Sequence, residues 1–218
     1  EMISCGGTIL KYKELGSDIT VIIASSGKGG YSHEESKNEI EKIRSEEAHK
    51  LEENLTIKII ELGYENLPIK RDIISKITNY IRDEKPQIII VPHYKDFHRI
   101  HRNLSLIVRE AIYHSSTSLV YGGSESTFIP LGVYYYESPS CKFKYLSDSP
   151  RIIVDISQYL DKKINLFNKI YPSQSKILKQ IIEWVKLSAK ENGFEINKQF
   201  GEAFIPETTY TPLQILLR

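Results

Sequence analysis

The feature that most constrains this chain is a repeated exchange of two hydrophobic periodicities. Runs dense in β-branched residues occur at residues 18–25 (DITVIIAS), 56–62 (TIKIIEL) and 87–91 (QIIIV), and each leads into a segment with helical apolar spacing. Residues 36–54 carry Ile40, Ile43, Ala48 and Leu51 as a stripe, with Ser36 or Asn38 as the expected cap. Residues 69–84 carry Ile73, Ile74, Ile77 and Ile81, and residues 103–115 carry Leu104, Ile107, Val108 and Ala111. Nearly continuous apolar runs imply strands covered on both faces. Strands alternating with helices at this spacing require right-handed βαβ crossovers. The fold class is therefore α/β, a Rossmann-like, mostly parallel sheet flanked by helices. Further strands are expected at 131–137 (LGVYYYE) and 151–156 (RIIVDI), and further helices at 157–169 and 174–190, the latter ended by Asn192-Gly193. No repeat or linker divides the chain, so residues 1–218 read as a single domain.

Lys and Arg number 29 against 28 Asp and Glu, a net charge of +1, which carries no broad footprint for nucleic acid or an anionic membrane. No apolar run approaches the roughly 18 residues of a membrane span. Cys5 and Cys141, far apart in sequence, make no disulfide framework, and a reducing, cytoplasmic compartment is expected.

The stretch from Pro92 to Arg102 (PHYKDFHRIHR) places histidines and an aspartate where a strand ends and a helix begins. In open α/β sheets that edge is where ligands bind. With a helix starting near His98, His98 and His101 share one face. One imidazole could then ligate a metal while the other serves as proton donor or charge beside a substrate.

Elsewhere two readings stand side by side. Gly6-Gly7 opens a helix that runs to Gly16, and glycines there suit either an anion at free N–H groups or close helix–sheet packing. Arg44 lies at the edge of its helix stripe, either in a surface ion pair with Glu41 or Glu47 or aimed into a cleft. Tyr134, Tyr135 and Tyr136 could face a sugar or pack the core. The glycine-rich loop at 26–33 lacks the P-loop spacing.

Taken in order, these segments resemble the LmbE-like, or PIG-L, family of zinc-dependent N-acetylglucosamine deacetylases. Glu1-Met-Ile-Ser-Cys-Gly-Gly-Thr-Ile-Leu10 is similar to the continuation of that family's A-H-P-D-D-E motif, with Glu1 as its last letter. Ser26-Gly-Lys-Gly-Gly30 resembles its glycine loop, Arg44-Ser-Glu-Glu47-Ala48 its R-x-x-E-A helix, and Asp96-Phe-His98-Arg-Ile-His101-Arg102 its D-x-H-x-D-H-R motif. Val133–Glu137, Val154–Ser157, Tyr171–Gln174 and Glu202-Ala203-Phe204 look like C-terminal landmarks.

The resemblance implies a metal-dependent hydrolase that removes acetate from an N-acetylated amino sugar or glycoconjugate. It implies Zn2+, or another divalent metal, held by the histidine and second aspartate of H-P-D-D and by His101. His98 would stabilise the oxyanion or the leaving amine, Asp96 would orient a histidine, and Arg44 would bind substrate. The expected partner is a small molecule, with oligomeric state left open, a homo-oligomer included. Two departures qualify this. Ile100 stands where the family has an aspartate between the histidines. The H-P-D-D segment and its strand, with two metal ligands and the general base, are missing ahead of Glu1, so the sequence is expected to be a piece of a longer chain. The alternative is a catalytically inactive carbohydrate-binding or scaffold protein on the same fold.

Overall fold

The computed structural model describes residues 1–28, 39–117, 126–146 and 150–208, without the side chains of 175 and 176. The expected caps Ser36 and Asn38 and the rest of the glycine loop beyond Lys28 lie outside the described residues. The chain packs as two compact units, Glu1–Asn66 with Ile153–Glu202, and Leu67–Ile152 with Ala203–Arg218.

In the first unit, α1 (Met2–Glu14) leads to β1 (Thr20–Ser25), α2 (Ile40–Leu55) and β2 (Lys58–Tyr64). β1 and β2 pair in parallel, Thr20 opposite Lys58 through Ile23 opposite Glu61, as a βαβ crossover requires. Leu51 and Ile40 of α2 are fully buried. The second unit begins with α3 (Arg71–Glu84), β3 (Ile88–Pro92), α4 (Arg99–Ser115) and β4 (Gly132–Tyr136). β3 and β4 are parallel in unbroken register, Ile88 opposite Gly132 through Pro92 opposite Tyr136. Ile73, Ile74, Ile77 and Ile81 of α3 are all buried, each worth roughly 1.5–3 kcal/mol of apolar transfer. Arg82 of the same helix donates to the carbonyls of His114 and Thr117, closing the end of α4.

The rest of the chain returns as β5 (Ile152–Asp155), α5 (Leu160–Ile170), α6 (Ser175–Glu195) and β6 (Gly201–Pro206). β6 runs antiparallel to β4, Tyr134 opposite Pro206 and Tyr136 opposite Phe204, so the sheet is mixed. The α/β class with a mostly parallel sheet holds, but β6 is a strand the sequence did not announce. Ser157 does not open α5. Its N–H and hydroxyl both bond Asp155 Oδ1, forming a turn, and the helix begins at Leu160. Asn192-Gly193 does not end α6, which continues to Glu195. Gly193 is instead a close-approach residue, since a Cβ there would stand 2.6 Å from the Phe200 backbone nitrogen. Tyr135 and Tyr136 are buried in the core, while Tyr134, between Val133 and Tyr135, is half-buried. Among the described residues, no helix is long and apolar enough to cross a membrane.

The glycine-rich turn of α1 realises both of its sequence readings. Cys5 leaves helical geometry (φ −130°, ψ 18°), which breaks the ladder between the Ile3 carbonyl and the Gly7 N–H. A buried ion pair fills the break. Glu202 accepts from the Gly7 N–H at 2.9 Å and the Thr8 N–H at 2.7 Å, while Lys163 Nζ donates to the Ile3 carbonyl and to Glu202, both at 2.7 Å. The anion is the protein's own carboxylate. Close packing is met as well, because a Cβ on Gly7 would stand 2.8 Å from Ile156.

Candidate active site

The chemistry-bearing residues of the second unit gather between β3 and α4. Pro92 ends the strand and His98 occupies the cap position of α4 with extended backbone (φ −74°, ψ 117°). The helix therefore starts four residues before Asn103, and His101 falls in its first turn. Asn103 is no cap. Its side-chain amide donates to the Leu67 carbonyl from within the helix.

Asp96 is the centre of the loop and has no exposed surface. Its Oδ1 accepts from the His98 N–H at 2.8 Å and from the Ser140 hydroxyl at 2.5 Å. Its Oδ2 accepts from the Ser138 hydroxyl at 2.5 Å and meets His101 Nδ1 at 2.8 Å. Burial pushes the carboxyl up, but the hydrogen bonds from His101, Ser138, Ser140 and the His98 amide outweigh it and hold Asp96 well below the ordinary carboxylate range. An ionised carboxylate only accepts, so Nδ1 of His101 carries a proton, and in the neutral form of the ring the lone pair is on Nε2. The His101 side chain keeps a third of its surface exposed. The His98 ring lies 4.5 Å from it, centroid to centroid, at 45°. Burial lowers the His98 pKa, as does repulsion from His101 when that ring is protonated.

The loop is fixed at its backbone too. Arg102 donates to the carbonyls of Asp96 at 2.8 Å and Phe97 at 2.6 Å, and the Phe97 N–H donates to Ser140. The serine turn is pinned in its own right by reciprocal backbone bonds between Ser138 and Cys141. The Glu137 carboxylate accepts from the Phe143 N–H.

His93 belongs to the core rather than to this cluster. It is 2% exposed, stacks on Tyr94 at 4.5 Å and meets the edge of Tyr135 at 4.9 Å. Its Nδ1 accepts from the Lys95 N–H at 3.0 Å. Burial, then the Lys95 charge, lower its pKa to about 4, so the ring is neutral.

Arg44 stands in the first unit, on α2. Of the two candidate partners it pairs with Glu47, at 3.2 Å, and this is no surface pair, since the Glu47 side chain is 2% exposed. Glu47 also accepts from the Ser173 N–H and hydroxyl, both at 2.9 Å. Tyr171 nearby is half-buried, and desolvation, with the charges of Glu1 and Glu47, pushes its phenol up.

Asp96, His98 and His101 are thus brought together in the second unit, and Arg44 is held by Glu47 in the first. Sequence reading missed Ser138 and Ser140 as polar anchors, named Glu47 only as a candidate ion-pair partner of Arg44, and took Ser173 only as part of a C-terminal landmark. The serine-rich segment after β4 was the one available signal.

The donor set was tested against a divalent ion. His101, with a carboxylate on Nδ1 and Nε2 presented, is the form a metal-ligating histidine takes. Among the described residues, no group of three or more His, Cys, Asp or Glu side chains is placed to hold an ion. The described residues therefore fit one corner of a metal site.

Fold and site together define the class, an α/β protein that presents a carboxylate-held imidazole at the carboxyl end of a parallel strand. The chain belongs to the PIG-L family, whose model, GlcNAc-PI de-N-acetylase, matches residues 1–112. A diacetylchitobiose deacetylase of Thermococcus kodakarensis is 27% identical over 176 residues, covering 74% of this chain and 61% of that protein. The chain thus spans less than two thirds of that relative's length. The structure is similar to an N,N'-diacetylchitobiose deacetylase from Pyrococcus horikoshii complexed with its inhibitor, with a TM-score of 0.82 at 23% identity over 99% of this chain and 84% of that one. It is also similar to GalB, the 4-carboxy-2-hydroxymuconate hydratase of Pseudomonas putida KT2440, with a TM-score of 0.79 at 18% identity over 94% and 90%. One fold carries both of those proteins, so fold alone does not choose the chemistry.

Proposed function

We propose that this chain is a divalent-metal-dependent N-deacetylase, zinc being the expected ion, acting on an N-acetylated amino sugar or its conjugate. The observation that carries the reading is the Asp96–His101–His98 arrangement in a chain of the PIG-L family. In this reading His101 donates Nε2 to the ion, and the other ligands and the general base come from residues outside those described. When bound, the ion acidifies a water and polarises the acetyl carbonyl.

The chain's own residues then have defined tasks. Asp96 holds the His101 tautomer and ring plane, and Ser138 and Ser140 hold Asp96. His98, one ring away, serves the oxygen or nitrogen of a substrate placed at His101. Arg44 binds the sugar or its conjugate. Two free, buried thiols, Cys5 and Cys141, support a reducing cytoplasm.

Acetate release from N-acetylglucosamine conjugates, measured with metal content in the full native protein, tests this. His101→Ala is expected to lose the metal. His98→Ala is expected to keep it while kcat falls by about two to four orders of magnitude. Retained metal in the first variant, or full activity in the second, overturns the assignment. Ile100, in the place of an aspartate, favours a second reading, a silent glycan-binding protein. Saturable binding without acetate release would establish it.

A further inference from the structure

We propose that Glu47 is the positioning residue for Arg44, and that the Ser173 turn and the Gly27 backbone complete the clamp. The inference rests on the reading of Arg44 as the substrate-binding arginine. An exposed pair one helical turn apart on α2 would hold an arginine only loosely. This pair differs because the carboxylate is out of solvent and committed elsewhere. Oε1 of Glu47 accepts from the Ser173 N–H, and Oε2 accepts from the Ser173 hydroxyl and from Arg44 Nη1. A carboxylate has about four acceptor positions, so these bonds set its plane. The turn Pro172–Gln174 follows α5, which makes the anchor independent of α2 itself.

The arginine is confined on a second side. Gly27 has φ +69°, and a Cβ built there would stand 3.4 Å from Arg44 Cγ and 3.5 Å from its Nε. Loop backbone therefore lies along the arginine side chain. The side chain keeps 21% of its surface exposed, against 2% for Glu47. A long side chain with many rotamers is thus held before any ligand arrives, which lowers the entropy lost on binding. Three sequence signatures with no evident link in the chain (the glycine loop, R-x-x-E and Y-P-S-Q) become one device for presenting a guanidinium.

Two readouts test this in the full native protein. The first is the order of the Arg44 Nε–H bond by 15N relaxation. It is expected to be rigid in the native protein, loose in Glu47→Gln, and intermediate in Ser173→Ala. Unchanged order in folded Glu47→Gln overturns the proposal. The second is KM and kcat with N,N'-diacetylchitobiose as probe. Glu47→Gln is expected to raise KM about tenfold with kcat within a few-fold, and to add nothing in an Arg44→Ala background. Additive effects overturn the positioning role. An Arg44→Ala protein with native KM overturns instead the reading of Arg44 as substrate-binding, and the two failures are thereby told apart. Should Glu47→Gln fail to fold, Glu47→Asp keeps the charge, shortens the arm and supplies the same comparisons.

Discussion

His93 and His101 use the same ring atom in opposite senses. Nδ1 of His101 faces a carboxylate and carries a proton, while Nδ1 of His93 faces the Lys95 amide and carries none. Protonating His93 would set N–H against N–H in a nearly sealed aromatic pocket. Its pKa, about 4 in the fold, returns to 6.5 when the chain unfolds. Between those values the unfolded chain binds more protons, so the stability from a neutral His93 is complete above pH 6.5 and lost as pH falls toward 4. The loss is expected to approach 3 kcal/mol, on the order of the full shift. Melting curves across that range should steepen in the native protein and flatten in His93→Phe. The histidines were legible in the sequence as a cluster, but their division of labour was not. That division is decided by which backbone amide or side chain faces each ring. Ser138 and Ser140 were invisible for a related reason, because a hydroxyl that bonds across a loop leaves no periodic trace.

The strand and helix run from β1 to α4 was readable because each element buries a stripe or run of isoleucine and valine. Where apolar density falls, the reading fails. β6 has the sequence GEAFIP, short of β-branched residues and ended by a proline, yet β4 offers it a partner edge and tertiary pairing prevails. α6 was cut short at Gly193 because glycine after asparagine signals a helix end. Here the missing side chain admits the Phe200 backbone instead. Gly193→Ala would improve helix propensity on α6 and still be expected to cost about 1–3 kcal/mol, since backbone at 2.6 Å has to move. A lowered denaturant midpoint checks this. Gly16, with φ +86° and open space around it, offers the contrast of conformational strain with no clash.

At the scale of the molecule, the family match over residues 1–112 takes in sequence from both compact units, and each is assembled from two separate stretches of chain. In the first unit, the Lys163–Glu202 pair joins the two stretches through its bonds to Ile3 and Gly7 inside the broken ladder of α1. Lys163→Met leaves Glu202 buried without its counter-charge and is expected to cost about 3–5 kcal/mol, read as a fall in the unfolding midpoint. The pair also bears on how the protein is made. The Gly7 amide and the Glu202 carboxylate that receives it are 195 positions apart. A ribosome therefore releases α1 long before the residues that close it exist. Until residue 202 has emerged, the Gly7 amide lacks the carboxylate that receives it in the fold. The glycine-rich turn is then among the last parts of the fold to be finished, and it stays open to chaperones and proteases while the intervening residues are made.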